Sequence, residues 1–308
     1  MLQALLNGLV QGGIYAVVAL GYTMVYGILL LINFAHGEVV MIGAYASVLV
    51  FAVLTWAGTT VSLGVVPCLG VSLVAAMAVS GLYGYFLERA AYRPLRHAPA
   101  LSPLISAIGM SIVLQNFVRL AQGSAPVYFP AWTPEFQEAF GAGNSIPIGG
   151  AVITPLDLFI VVLCVVLMAG LYAFVQKTRF GKAMRATSQD RTMAGLLGIS
   201  VDRVISVTFV LGSILAAVAG LLLALYTTQA KFDMGFMAGM KAFTAAVLGG
   251  IGNLRGAMLG GILLGLAESA GIQALGAEYK EVYAFLVLLA VLVVRPRGIM
   301  GERVAEKV

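Results

Sequence analysis

Long stretches of this 308-residue chain carry no charge, and that absence constrains it more than any motif does. No Asp, Glu, Lys or Arg occurs from Met1 to Gly37, and after Glu38 none occurs from Val39 to Leu87. As one straight helix, residues 39–87 would run roughly 74 Å at 1.5 Å per residue, against a bilayer hydrocarbon core of about 30 Å. They must cross an apolar slab twice, with the polar stretch Trp56–Ser62 as the turn. The rest of the chain continues in kind: 61% of residues are hydrophobic and 10% charged, where a soluble domain carries roughly 25% charged residues. This excludes a soluble enzyme, a disordered tail, a coiled coil and a nucleic-acid binder.

The expected fold class is an all-α polytopic membrane protein with about eight transmembrane helices. The spans read as Leu5–Ile32, Glu38–Leu54, Leu63–Leu87, Leu104–Ala121, Leu156–Val175, Val204–Leu225, Ala257–Ala274 and Tyr283–Val294. A further apolar segment, Ala242–Ile251, is short for a crossing and reads as re-entrant or tilted. The N-terminal stretch has no basic residue before Arg89, so it reads as an anchor and not as a cleavable leader.

Basic residues concentrate in three segments: Arg89, Arg93 and Arg96; Lys177, Arg179, Lys182, Arg185, Arg191 and Arg203; and Arg295, Arg297, Arg303 and Lys307. The loop 121–155 has no Lys or Arg. By the positive-inside rule the N-terminus lies outside and the C-terminus in the cytoplasm. Tyr128, Phe129, Trp132 and Phe136 then suit an outer aromatic belt. Cys68 and Cys164 lie in predicted spans with no disulfide or metal spacing. No nucleophile, metal or phosphate-loop motif occurs, so no catalytic, cofactor-binding or metal-binding residue is expected, and ATP is not handled by this chain.

Polar residues inside spans are costly and are candidates for the translocation path. Asn33, His36 and Glu38 cluster between the first two spans. Asn33 is expected to close the first helix, Gly37 to permit a tight turn, and Glu38 to sit at the start of the next helix, where the macrodipole favours an anion. That electrostatic role and a gate role both fit. Gln115 and Asn116 lie in the fourth span and suit either interhelical hydrogen bonds or solute contact. Glu268 is the most deeply placed carboxylate, either facing the bundle interior or protonated. Gly249, Gly250 and Gly252 open a glycine-rich stretch that continues to Gly265. Small residues four apart, as at Gly8 and Gly12, let backbones approach closely, and the Gly-Gly-Ile-Gly turn is a candidate border of the solute path. The first two spans and the stretch around Gly252 both run in, turn and run out, which hints at a repeat.

The segment 177–203 is the most informative one outside the spans. Thr187 and Asp190 have capping-box spacing. Met193, Leu196 and Leu197 form a small apolar stripe, and Gly198 ends the helix. Such a helix either lies on the lipid interface or docks into a partner's groove.

Four stretches carry a family resemblance: Gly21–Gly27, Ile32–Glu38, Leu104–Ile112 and Gly235–Gly252. They resemble the permeases of high-affinity branched-chain amino-acid ABC importers, the LivH type, and the similarity extends to Glu306-Lys307-Val308. The resemblance implies one transmembrane permease domain over 1–308, with 121–155 a periplasmic loop and 177–203 a cytoplasmic coupling loop. It implies a subunit without its own ATPase in the bacterial inner membrane. The implied partners are a second related permease, two cytoplasmic ATPase subunits that use ATP and Mg, and a periplasmic amino-acid-binding protein. Importer permeases carry a Glu-Ala-Ala-x-x-x-Gly type coupling motif; in Thr192–Gly198 only Ala194 and Gly198 match it. The expected coupling residues are therefore Arg185, Thr187, Asp190, Arg191, Met193, Ala194, Leu197 and Gly198. The resemblance favours docking over lipid contact. The expected function is inward passage of Leu, Ile or Val by alternating access. Permeation of urea or an amide, an ion-coupled carrier and a passive channel are the competing readings.

Overall fold

A computed structural model describes residues 1–96, 98–99, 101–295 and 297–301. His97 and the tail residues Arg303, Glu306, Lys307 and Val308 lie outside these. Among the described residues, thirteen α-helices dominate. They are α1 Leu2–Leu29, α2 His36–Trp56, α3 Thr59–Leu63, α4 Val65–Leu87, α5 Leu101–Gln122, α6 Pro134–Phe140 and α7 Pro155–Lys177, followed by α8 Arg179–Gln189, α9 Arg191–Leu196, α10 Val201–Thr227, α11 Met234–Gly249, α12 Leu254–Leu275 and α13 Lys280–Val294. A π-turn Glu88–Tyr92 and a 3-10 turn Arg93–Leu95 extend α4.

Seven helices are long and apolar enough to cross a bilayer. The eighth expected span, α13, has 15 residues between Lys280 and Arg295, about 22 Å of helix. The expected short segment is a helix of 16 residues, Met234–Gly249; it begins eight positions earlier than its purely apolar stretch because Lys241 is accommodated inside it. Large apolar side chains face outward along α5, among them Ile105, Ile112 and Phe117. That arrangement is adverse in water and ordinary in lipid.

The centre is built on an inverted repeat. α1 is followed by six residues and α2; α10 is followed by six residues and α11. Both long helices end in a left-handed residue, Leu30 at φ 57° and Thr228 at φ 55°, the two non-glycine residues with positive φ among those described. Leu30 and Thr228, Phe34 and Phe232, and Gly37 and Gly235 are all 198 positions apart. Packing repeats as well: α1 lies against α12 as α10 lies against α4, and α5 leans on α2 as α13 leans on α11. The repeat therefore joins α1–α2 to α10–α11, and not to the stretch around Gly252. α1 ends, and α10 begins, at the end of the bundle that carries α8 and α9, so the two halves run in opposite senses.

Glycine spacing makes the close contacts. A Cβ on Gly8 would meet Gly265 O at 3.0 Å, and one on Gly12 would meet Ile262 Cα at 2.9 Å. Added side chains at Gly249 and Gly256 would collide with each other's backbone. Gly37 lies within α2 with an ordinary negative φ. The tight turn is made by Leu30, and Asn33 lies beyond the end of α1, so both expectations for this segment are corrected. What requires glycine at 37 is the backbone of Gly235 and Gly239 against it.

The segments at either end follow the alternation of the spans. Arg93 of the first basic segment pairs with Asp202 beside the second at 3.1 Å, and Met300 of the third lines the same cavity as Arg185. The described parts of the three basic segments thus converge on one end. At the other end, Val127–Tyr128 pairs antiparallel with Gln229–Ala230, and a hairpin Ile146–Ile153 turns through Gly149 and Gly150 at positive φ. Phe129 and Phe136 are buried there, with Phe129 stacked on Phe51 at 4.7 Å; only Tyr128 and Trp132 of the expected belt are exposed. The carbonyls that end α11 are capped by the tail: Ile299 N donates to Leu248 O and Met300 N to Gly249 O, both at 2.9 Å.

Candidate functional site

The N-termini of α2 and α11 meet inside the bundle. His36, the first residue of α2, packs edge-on against Tyr22 with ring centroids 4.7 Å apart. Tyr22 lies about two turns before the end of α1, roughly 10 Å along it, so this meeting point is deep in the apolar layer. Two helix N-termini facing one another concentrate partial positive charge. Glu38 supplies the carboxyl group that answers it. It is 1% exposed, it lies in the first turn of α2, and its Oε2 is close to Gly235 in the first turn of α11. Ser111 Oγ on α5 donates to Glu38 Oε1 at 3.0 Å. Tyr92 Oη donates to Asn33 Oδ1 at 2.8 Å. Asn33, His36 and Glu38 are thus brought together, bound into the interior of this chain.

The other expected path residues are elsewhere. Asn116 is exposed on α5 and donates to Ile112 O of its own helix at 2.8 Å. Gln115 is half-buried beside it. Gly249 and Gly250 are buried against Gly256 and the tail, and Gly252 lines a cavity. Glu268 is fully buried. Lys241 Nζ reaches it at 2.9 Å and Glu281 at 3.0 Å, with Lys280 3.6 Å from Glu268. Lys241 was not among the expected residues. It is the one charge between Asp233 and Arg255, facing a single buried Glu in the neighbouring span. Glu88 was also missed; it is 1% exposed, paired with Arg96, and accepts from Ser206 Oγ at 2.7 Å.

The 177–203 segment forms two helices. Thr178 caps α8 by accepting from Gly181 N. Thr187 lies buried inside α8, and Asp190, not Thr187, is the N-cap of α9: its Oδ1 accepts from Thr192 N at 2.8 Å and Met193 N at 3.0 Å. The expected capping box is therefore wrong by one spacing, because α8 continues through Gln189. Gly198, at φ 81°, lies just past the end of α9 as expected. Ala194 is buried, while Met193, Leu196 and Leu197 are 59%, 78% and 80% exposed. Arg185 turns back to Val175 O at 2.9 Å. Arg191 turns inward to Ile28 O; partial burial, with the charge of Arg96 second, holds its guanidinium below the ordinary value, and arginine remains charged near neutral pH. A cavity of about 430 Å³ opens between α1, α7, α8 and the α11–α12 turn, lined by Thr23, Arg185 and Arg255 among others.

Residues 4–292 match the family model described as branched-chain amino acid transport system / permease component. The chain is 46% identical to the high-affinity branched-chain amino acid transport system permease protein LivH of Escherichia coli K12, over 100% of this chain and 97% of that one. It is 48% identical to the permease protein BraD of Pseudomonas aeruginosa, over 100% and 98%. A probable branched-chain amino acid permease of Methanocaldococcus jannaschii is 26% identical over 96% and 91%. With seven helices able to cross a bilayer, this kinship makes the protein a multi-pass protein of the bacterial inner membrane. The chain belongs to the family of permease components of branched-chain amino acid transport systems.

Proposed function

We propose that this chain is the membrane subunit of an ATP-driven importer that carries leucine, isoleucine or valine inward by alternating access. Its kinship with LivH and BraD supports the substrate class. The observation that carries the coupling role is α9. Three large apolar side chains, Met193, Leu196 and Leu197, stand exposed on a six-residue helix held rigid by the Asp190 cap. Such a knob calls for an apolar cover, and a groove in a partner protein supplies one.

In this reading the end with the basic segments faces the cytoplasm, and residues 121–155 lie in the periplasm. Two ATPase subunits bind and hydrolyse ATP with Mg and hold α9. A second related permease completes the membrane core, and a periplasmic binding protein delivers the amino acid. The solute passes between the two permeases, with Gln115 and Asn116 on the exposed face of α5 as the path residues the second permease covers. Asn33, His36 and Glu38 serve as the pivot of the half-helix pair. An apolar solute requires few polar groups, which suits a path without paired charges.

The test is reconstitution with candidate partner subunits in proteoliposomes, measuring uptake of leucine against urea. Leucine uptake that requires ATP, stops with vanadate and ignores an uncoupler supports the reading; uncoupler-sensitive, ATP-independent uptake or a preference for urea overturns it. Met193→Asp with Leu197→Asp should release the ATPase subunits while the permease stays inserted, and unchanged co-purification would remove α9 from the docking role.

A further inference from the structure

α9 is joined to the membrane bundle by two covalent arms. Through α8 it continues into α7, and through residues 197–200 it continues into α10. α10 opens one half of the inverted repeat. Its counterpart α1, which opens the other half, is far away in sequence and has no chain connection to α9.

α8 packs against α1, and among the described residues a side chain of α9 itself also reaches α1. Arg191, the first residue of α9, donates from Nε at 3.1 Å and Nη2 at 2.6 Å to the carbonyl of Ile28. Ile28 lies in the last turn of α1, where carbonyls have no partner within the helix. α1 has no basic residue in its last turn, so the cation that answers its C-terminal dipole comes from Arg191. Asp190, next in sequence, caps α9 and fixes the direction from which Arg191 leaves it. Beyond Ile28 the chain turns through left-handed Leu30, is held at Asn33 by Tyr92, and enters α2 at His36 and Glu38. The contact therefore leads from the exposed knob to the buried meeting of the half-helices.

We propose that Arg191 is a positioning residue for transport: it gives the coupling segment its grip on the α1 half of the repeat, while α10 is gripped through the chain itself. Both halves then receive the same displacement. This rests on the importer reading above.

The experiment uses the full reconstituted complex with Arg191→Ala and Arg191→Lys. Arg191→Ala should leave the ATPase subunits bound and basal ATP hydrolysis within about twofold, and lower leucine uptake per ATP hydrolysed by about tenfold or more, the scale of a lost charge-assisted contact. Arg191→Lys keeps the charge without the fork and should fall between. Uptake per ATP unchanged in Arg191→Ala, or loss of the ATPase subunits from it, overturns the proposal. A second measurement covers a variant that fails to fold. Spin labels at Leu30→Cys and Thr192→Cys, both exposed positions, should keep a fixed separation between the nucleotide-free and vanadate-trapped complexes; a separation that changes by more than about one helical turn, roughly 5 Å, overturns it. If the parent complex does not couple ATP to leucine uptake, the importer reading fails instead, and the two failures are distinct.

Discussion

Lys241 and Glu268 form an ion pair at 2.9 Å between α11 and α12, with 5% and 0% of their surfaces exposed. Removing one partner leaves the other with only a more exposed one, Glu281 for Lys241 and Lys280 for Glu268, a loss of up to about 3–5 kcal/mol. Glu268→Gln and Lys241→Met should each lower the melting temperature of the purified chain sharply. The double substitution Lys241→Met with Glu268→Leu should recover most of the loss. A double variant that melts at or below the two single ones contradicts the pairing.

Gly37 tests the half-helix contact. A methyl group there collides with the carbonyl of Gly235, which is backbone and cannot swing away. Gly37→Ala should cost upward of about 3 kcal/mol and reduce the yield of monodisperse protein. Gly70→Ala and Gly109→Ala meet open space and should purify like the parent. Equal yields for all three would mean that α2 and α11 do not meet there.

Ser111 provides the hydrogen bond between α5 and the buried carboxylate of Glu38. An intramolecular hydrogen bond contributes about 0.5–1.5 kcal/mol. Ser111→Ala should lower thermal stability by that amount, and Ser111→Thr, which keeps the hydroxyl, by less. Indistinguishable melting of the two variants would rule the bond out.

Asp190 holds α9 through two backbone N–H groups. Asp190→Ala should cost about 1 kcal/mol of local helix stability, read as roughly fivefold faster amide exchange at residues 192–197. The membrane helices should be unaffected. Exchange unchanged in α9 would show that the cap is not what orders it.

The spans were legible because each is an apolar run with at most one charge inside its expected bounds, and the ends of the bundle were legible because the basic segments alternate with the spans. What stayed hidden depends on distance in sequence. Lys241 and Glu268 are 27 residues apart on different helices, and a period-based reading of either helix cannot say that they meet. The contact of Gly37 with Gly235 needs an inverted repeat whose two halves share little more than Phe34/Phe232 and the glycine pair. The cap of α9 failed for a local reason. Thr187-x-x-Asp190 and Asp190-x-x-Met193 both have the spacing of an N-cap, and the choice between them depends on how far α8 extends. Of the candidate site, the three residues Asn33, His36 and Glu38 were legible as a cluster; that Arg191 donates to Ile28 O was not, because a basic residue on a short helix carries no sign of its direction.

The tail contacts at Leu248 and Gly249 bear on how the protein is made. Ile299 and Met300, which cap these carbonyls, leave the ribosome after every helix of the bundle. Until α13 has been inserted, the end of α11 has two backbone acceptors without their protein partners, and an unpaired carbonyl is tolerated only where water reaches it. The end of α11 is therefore closed only after α13 has been made, so this half of the repeat acquires its final packing later than the half built on α1 and α2.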